Sequence, residues 1–159
     1  MSEDKPKILP ELSYKRMIEN SVGTKMFNSL FIEGSDGNPK DVLNNGEFSC
    51  AFFVSSILVL GNLLAKPRAT VNSLYDELSK SSDFIEISES DLDSGDIIFW
   101  EEIEFEDGSK NKHTGFYIGN KEAISMVYLK KEVARHHYKD FSSGKRKISS
   151  VFRIVWNKN

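Results

Sequence analysis

The chain has 159 residues, which suits one domain, and its 39% hydrophobic and 28% charged residues are ordinary for a globular protein. A domain of this size can bury about two-thirds of the unfolded chain's surface, so it needs no disulfide or metal to fold. Its one cysteine excludes an intramolecular disulfide and is either a small buried side chain or a reactive thiol. We therefore expect one domain over residues 1–159, with no cofactor and no metal.

The charges are unevenly distributed along the chain. Residues 1–108 contain 9 Lys and Arg against 21 Asp and Glu, whereas residues 109–159 contain 12 against 3. This pattern fits two complementary faces of one fold, and it also fits a basic surface for an anionic substrate. No nucleic-acid-binding motif accompanies the basic half, so we expect no nucleic acid partner.

The chain carries no pattern typical of a secreted or membrane protein. Met1–Pro10 is charged and polar and lacks the apolar core of a secretory signal. The longest apolar stretch, Ala51–Ala65, is interrupted by polar residues and is too short to cross a bilayer. We expect a cytoplasmic protein with no membrane contact, although delivery outside the cell by a leaderless route stays open.

Helical patterns fill the first half of the chain. Pro10–Asn20 begins with a proline suited to a first turn and has helical apolar spacing. Thr24–Ile32 continues with apolar residues and predicts a second, short helix. Residues 49–64 are apolar almost all round, as in a buried helix, and Ser49 is the predicted N-cap. Thr70–Ser79 predicts an amphipathic helix capped by its threonine.

From residue 84 onward the pattern becomes that of short strands. Ile97–Glu106 and Lys110–Gly119 meet around Asp107-Gly108, a strong hairpin signal. Further strands are predicted at Phe84–Ile87, Ala123–Leu129, Val133–Tyr138 and Ile148–Trp156. We predict an α+β domain in which helices, about residues 10–80, pack on one side of an antiparallel meander of five to six strands, about residues 84–157.

Cys50 opens the apolar helix. A thiol in a first helical turn lies at the positive end of the helix dipole among unpaired amides, which favours the thiolate. The same amides can stabilise an oxyanion that forms beside the sulfur. The alternative is an inert core cysteine.

A thiol nucleophile needs a base, and the chain has three histidines. His113 lies on a predicted strand and shares a face with Gly115, which leaves room for a substrate or for the helix of Cys50. The alternative for His113 is a half-exposed strand residue. His136 and His137 are adjacent and point to opposite faces, so at most one can reach the site, and we expect both to be ordinary strand residues.

Three segments carry a family resemblance over about residues 44 to 126: NNGEFSCAFFVSSIL, DLDSGDIIFW and HTGFYIGNKEAIS. In this order they resemble the NlpC-type cysteine peptidases and the related CHAP amidases. In that family a cysteine opens the central helix, a Gly-Asp strand begins the sheet, and an H-x-G strand carries the base. The resemblance implies a papain-like fold with Cys50 as nucleophile and His113 as base.

Two positions depart from the family pattern. The family usually has Asp before its cysteine, where this chain has Ser49. Its third catalytic residue, which orients the histidine, is commonly His, Asn or Gln on the next strand, and Ser125 falls at that place. A backbone carbonyl or one of the later histidines is the alternative to Ser125.

The predicted function is a cysteine hydrolase that cleaves an amide bond in a peptide or peptidoglycan-like substrate through an acyl-enzyme, the substrate class being implied by the resemblance. One alternative is a papain-like binding module whose site has lost activity. Another is an acyl or peptidyl transferase that uses the same thiol.

Three further features have simpler interpretations. The acidic run Glu101–Asp107 is expected to be a solvated edge rather than a metal site. Lys145–Lys147 is expected to be a loop, able to touch an anionic ligand. Core or rim positions are expected for Trp100, Tyr117 and Trp156.

Overall fold

The computed structural model describes residues 5–142 and 144–157, and within them the chain forms three α-helices and ten strands. In chain order these are α1 Pro10–Asn20, β1 Phe31–Glu33, β2 Pro39–Asp41, α2 Cys50–Leu60, α3 Val71–Lys80, β3 Phe84–Ile87, β4 Ile97–Glu104, β5 Lys110–Gly119, β6 Glu122–Val127, β7 Glu132–His137, β8 Asp140–Phe141, β9 Gly144–Lys145 and β10 Ile148–Ile154. The predicted domain, 1–159, extends into residues 1–4, 143 and 158–159, which lie outside the described residues.

Six strands form one antiparallel sheet in the order β3-β10-β4-β5-β6-β7. Strands β4 to β7 are a meander, and the β4–β5 hairpin turns at Asp107-Gly108 as predicted, with Gly108 at φ 79°. The last strand, β10, inserts between β3 and β4, with Phe152 opposite both Glu86 and Ile97. The prediction of an α+β domain is confirmed. The carboxylate residues of the run Glu101–Asp107 are exposed, as expected.

The buried helix α2 sits on the middle of the sheet, against β5 and β6. Phe53, Val54 and Leu58 are fully buried, and Phe53 meets Phe116 of β5 edge-to-face at 5.6 Å. Each such side chain contributes roughly 1.5–3 kcal/mol by leaving water. This packing fixes the start of α2 beside β5. In the part of the chain that is described, no helix has both the length and the apolar character that crossing a membrane requires.

The predicted helix at Thr24–Ile32 is wrong. Residues 24–30 form turns, and β1 then pairs with β2 in a small separate hairpin. The carboxylate of Asp41 accepts hydrogen bonds from the amides of Leu30 and Leu43, each at 3.0 Å, and from the hydroxyl of Ser29 at 2.9 Å. Asp41 thus fixes Ser29 and Leu30 in a non-helical path, and apolar spacing alone does not reveal such side-chain bonds.

Candidate active site

Cys50 opens α2 and is 8% exposed. The backbone bond from Phe53 N–H to Ser49 C=O, at 2.9 Å, begins the helical ladder, so the amides before Phe53 are free of helical partners. The prediction that the Ser49 hydroxyl caps the helix is wrong. Its backbone, at ψ 9°, is not in the extended form that caps adopt, and its hydroxyl is buried without a hydrogen bond to any described residue.

Burial decides the protonation state of Cys50. Burial raises the pKa of the thiol, while the backbone amides of Thr114 and Ala51 and the charge of Arg146 lower it to a smaller extent. The amides at the start of the helix favour the thiolate, as expected, but burial raises the pKa more than they lower it, so the resting thiol is protonated. Thr114, whose amide lowers this pKa, follows His113 on β5, the strand against which α2 packs.

His113 lies on β5, 9% exposed, and its ring is enclosed by aromatic side chains. The ring stacks on Trp100 at 5.2 Å, and Phe141 meets it edge-on at 5.7 Å. Burial lowers the pKa of His113 well below its usual value, and the charges of Arg146 and His136 lower it further. The imidazole is consequently neutral at neutral pH and able to accept a proton.

A chain of hydrogen bonds leads away from His113. Nε2 of His113 lies 2.8 Å from Oγ of Ser125 on β6, and the same oxygen lies 2.7 Å from Nε2 of His136 on β7. Nδ1 of His136 lies 2.8 Å from the carbonyl oxygen of His137. The structure thus brings Ser125, predicted at the third position, into contact with His113.

The carbonyl of His137, at the end of these hydrogen bonds, determines which nitrogen of each imidazole carries a proton. A carbonyl only accepts, so Nδ1 of His136 carries a proton and donates to the oxygen of His137. Burial lowers the pKa of His136, so its ring is neutral and Nε2 accepts from the hydroxyl of Ser125. The serine oxygen then accepts from Nε2–H of His113. His113 is left with an unprotonated Nδ1, the atom that a base requires.

His136, expected to be an ordinary strand residue and named only as an alternative to Ser125, bonds to Ser125 in the structure. Ser125 pairs with Ala134, and His136, two residues further along β7, lies on the same face. His137 points the other way, and its Nδ1 lies 3.4 Å from the carboxylate of Asp140. The prediction that at most one of the two histidines reaches the site is correct, but the one that does so is part of its hydrogen-bond chain.

Gly115 allows β5 and β6 to approach each other at Ser125. A Cβ atom at Gly115 would lie 2.7 Å from Cβ of Ser125, 2.8 Å from the carbonyl of Ile124 and 3.2 Å from the ring of Trp100. The glycine therefore leaves room for Ser125 and Trp100, not for a substrate or for α2 as we had predicted. Trp100 is buried, in line with its predicted core position.

Cys50 and His113 line one cavity of about 50 Å³. The remaining lining residues come from the β4–β5 hairpin, the β6–β7 turn, the segment before α2 and the segment around β8 and β9: Glu47, Phe105, Asn111, Met126, Val127, Tyr128, Leu129, Phe141, Ser142 and Arg146. The lining is mainly apolar, so a group bound there is shielded from water.

Arg146 belongs to the segment Lys145–Lys147, which was predicted to be a loop able to touch an anionic ligand. Lys145 lies in β9 instead, and the burial of Arg146 was not predicted. Lys145 and Lys147 are exposed, whereas Arg146 between them is 6% exposed and lines the cavity. Alternation in an extended segment sends the middle residue to the opposite face, which is the signal that could have singled it out.

Among the described residues there is no group of three or more His, Cys, Asp or Glu side chains placed to hold a metal ion. The residues gathered around the cavity are instead those of thiol and imidazole chemistry. No family model matches the chain, and no curated protein is similar to it at a significant level.

Proposed function

We propose that this chain is a cysteine hydrolase of papain-like type, related to the NlpC and CHAP families, which cleaves an amide bond in a peptide or peptidoglycan-like substrate. The observation that carries the proposal is the hydrogen-bond chain His113–Ser125–His136, which uses Nε2 of His113 and leaves its Nδ1 unprotonated, on a residue that lines the same cavity as Cys50. A nucleophile, a base and a residue that orients the base are the three parts such chemistry needs.

In the first step the sulfur of Cys50 attacks the carbonyl carbon of the substrate while Nδ1 of His113 takes the thiol proton. Because burial keeps the resting thiol protonated, proton transfer accompanies attack instead of preceding it. The carbonyl oxygen becomes an oxyanion, which the free amide of Cys50 at the start of α2 can stabilise.

In the second step the imidazolium of His113 gives its proton to the leaving nitrogen, the carbon–nitrogen bond breaks, and an amine leaves. The acyl group remains on Cys50 as a thioester. Water then attacks the thioester, with His113 as base, and the acid is released as the thiol is restored.

The arrangement around Ser125 bears on the binding-module alternative. A serine alone is a short orienter, but here its hydroxyl is held by His136 and so points its oxygen at His113. The hydrogen bond from Ser125 to His136 favours an enzyme over a binding module that has lost activity. The transferase alternative uses the same thiol and base and differs only in the acceptor that resolves the thioester.

The test is product analysis on a pool of N-acetylated peptides and cell-wall fragments by mass spectrometry. We expect amide cleavage by the wild type and by Lys147→Gln, an exposed matched control, and none by Cys50→Ala. Added hydroxylamine should appear in a hydroxamate product in competition with water. Cleavage that persists in Cys50→Ala would contradict the proposal, and transfer to amines without hydrolysis would favour the transferase.

A further inference from the structure

The guanidinium of Arg146 lines the cavity, and the proposed mechanism gives it no role. Its backbone amide donates to the carbonyl of Lys139 at 2.8 Å, and its guanidinium lies over the ring of Phe141 at 5.4 Å. Phe141 in turn contacts the rings of His113 and His136. The guanidinium is therefore held against the wall of the cavity, close to the proposed base.

This cation lacks a counter-ion. Nε and Nη1 of Arg146 are buried without a hydrogen-bond acceptor in residues 5–142 and 144–157, and no described carboxylate forms a salt bridge with it. Removing an ion from water costs several kcal/mol unless a partner of opposite charge replaces the solvent. Burial also lowers the pKa of Arg146, although an arginine stays charged at neutral pH.

We propose that Arg146 binds a carboxylate of the substrate, and that the substrates of this site are therefore peptides with a free carboxylate beside the scissile amide. The inference rests on the proposed function. Guanidinium donors suit a carboxylate, and stacking on Phe141 fixes their direction. Arg146 and Cys50 line the same small cavity, so an anion bound by Arg146 lies close to the carbonyl that Cys50 attacks.

A competing role for Arg146 is to act as counter-ion for the thiolate of Cys50, since its charge lowers the pKa of that thiol. The two roles make different demands on an incoming reagent. A counter-ion assists attack on any electrophile, whether neutral or charged. A carboxylate site favours electrophiles that carry a carboxylate and is indifferent to neutral ones of the same shape.

The experiment compares alkylation of Cys50 by iodoacetate, which carries a carboxylate, and by iodoacetamide, its neutral counterpart. The ratio of the two rates is measured by intact mass at fixed pH and low salt, with free N-acetylcysteine as the reference thiol. We expect the wild-type ratio to exceed that of the reference by about tenfold, the effect of one charge-assisted hydrogen bond. In Arg146→Gln the ratio should fall to the reference value.

The control variants separate a specific site from general attraction by the basic half of the chain. Lys147→Gln removes an exposed positive charge next to Arg146 and should keep the wild-type ratio. Arg146→Lys keeps the charge and should give an intermediate ratio. A wild-type ratio no higher than that of N-acetylcysteine overturns the proposal without any variant, and so does a ratio that is the same in the wild type and Arg146→Gln.

Failure of this inference and failure of the proposed function give different results. The alkylation ratio requires no turnover, so a high ratio that depends on Arg146 in a protein that cleaves no amide would retain the carboxylate site and reject the hydrolase. Cleavage of peptides irrespective of a neighbouring carboxylate, together with an unchanged ratio, would retain the hydrolase and reject the role of Arg146.

Discussion

The hydroxyl of Ser125 lies 2.8 Å from Nε2 of His113, across the β5–β6 strand pair. The same hydroxyl lies 2.7 Å from a second imidazole, that of the half-buried His136. One small side chain thus links two rings and determines which nitrogen of each carries a proton. If this linkage orients the base, then replacing Ser125 or His136 should slow the reactions of Cys50 while leaving the fold in place.

Ser125→Ala tests the linkage directly. Both imidazoles lose a buried hydrogen-bond partner, which should lower the free energy of unfolding by about 1–3 kcal/mol. Alkylation of Cys50 by iodoacetamide at neutral pH should slow by about tenfold, since His113 is no longer held with Nδ1 free. Urea unfolding and mass spectrometry measure the two effects. The control is Ser149→Ala, which removes a hydroxyl that donates to Phe99 at 3.1 Å outside the cavity, and it should leave the rate unchanged.

His136→Phe removes the acceptor of the serine hydroxyl while keeping an aromatic ring against Phe141, whose centroid lies 4.5 Å away. We expect slower alkylation of Cys50 and slower amide cleavage, with a smaller loss of stability than in Ser125→Ala. The matched control is His137→Asn, whose amide oxygen can accept the backbone bonds now made to Nδ1 of His137. Equal rates in the two variants would show that His136 does not act through Ser125.

Gly115→Ala should separate β5 from β6 at the site. The added methyl would lie within 2.8 Å of the Ile124 carbonyl, so the strands must shift, at a cost of about 1–3 kcal/mol in stability. The shift lengthens the contact between Ser125 and His113 and should slow alkylation. Gly61→Ala is the control, because its φ is −78° and its nearest neighbour is at 3.4 Å. A change in unfolding free energy below about 0.5 kcal/mol is expected there.

The pKa shifts predict how stability depends on pH. The folded-state pKa of His113 is below its usual value of about 6.5, so the unfolded chain binds the proton first and stability falls as pH drops below that value. The folded-state pKa of Cys50 is raised, so the unfolded thiol ionises first and stability falls as pH rises above about 9. Urea unfolding should show maximal stability between these limits.

Two variants show which residue causes the loss of stability at acid pH and which causes the loss at alkaline pH. His113→Gln should flatten the acid limb in part, because His136 also has a lowered pKa and contributes to it. Cys50→Ala should flatten the alkaline limb. An acid limb of the same slope in wild type and His113→Gln would mean that His113 is not buried as a neutral ring.

The sequence predicted best where local chemistry decides the structure. Pro10 at the first turn and Asp107-Gly108 at the hairpin gave α1 and the β4–β5 turn their places, because proline and glycine restrict or release φ within a single residue. Cys50 and His113 were candidates from their places at a helix start and on a strand, and the family resemblance added Ser125. Strand alternation correctly separated His136 from His137.

The features that the sequence did not predict depend on contacts between distant segments. The insertion of β10 between β3 and β4 is a long-range arrangement with no local pattern. The bond that Asp41 accepts from the Leu30 amide joins residues eleven apart and is equally invisible in apolar spacing. The pKa of Cys50 depends mainly on burial, which raises it more than the backbone amides of Thr114 and Ala51 lower it. The burial of Arg146 between two exposed lysines was not predicted either.

The central claim is that His113 acts as base for Cys50, and the most direct measurement is the pH dependence of iodoacetamide alkylation in the wild type and in His113→Gln. We predict that the wild type reacts at neutral pH at least about tenfold faster than the variant, because His113 accepts the thiol proton during attack. The variant should react only as pH approaches the raised pKa of the thiol. Coincident profiles for the two proteins would contradict the claim.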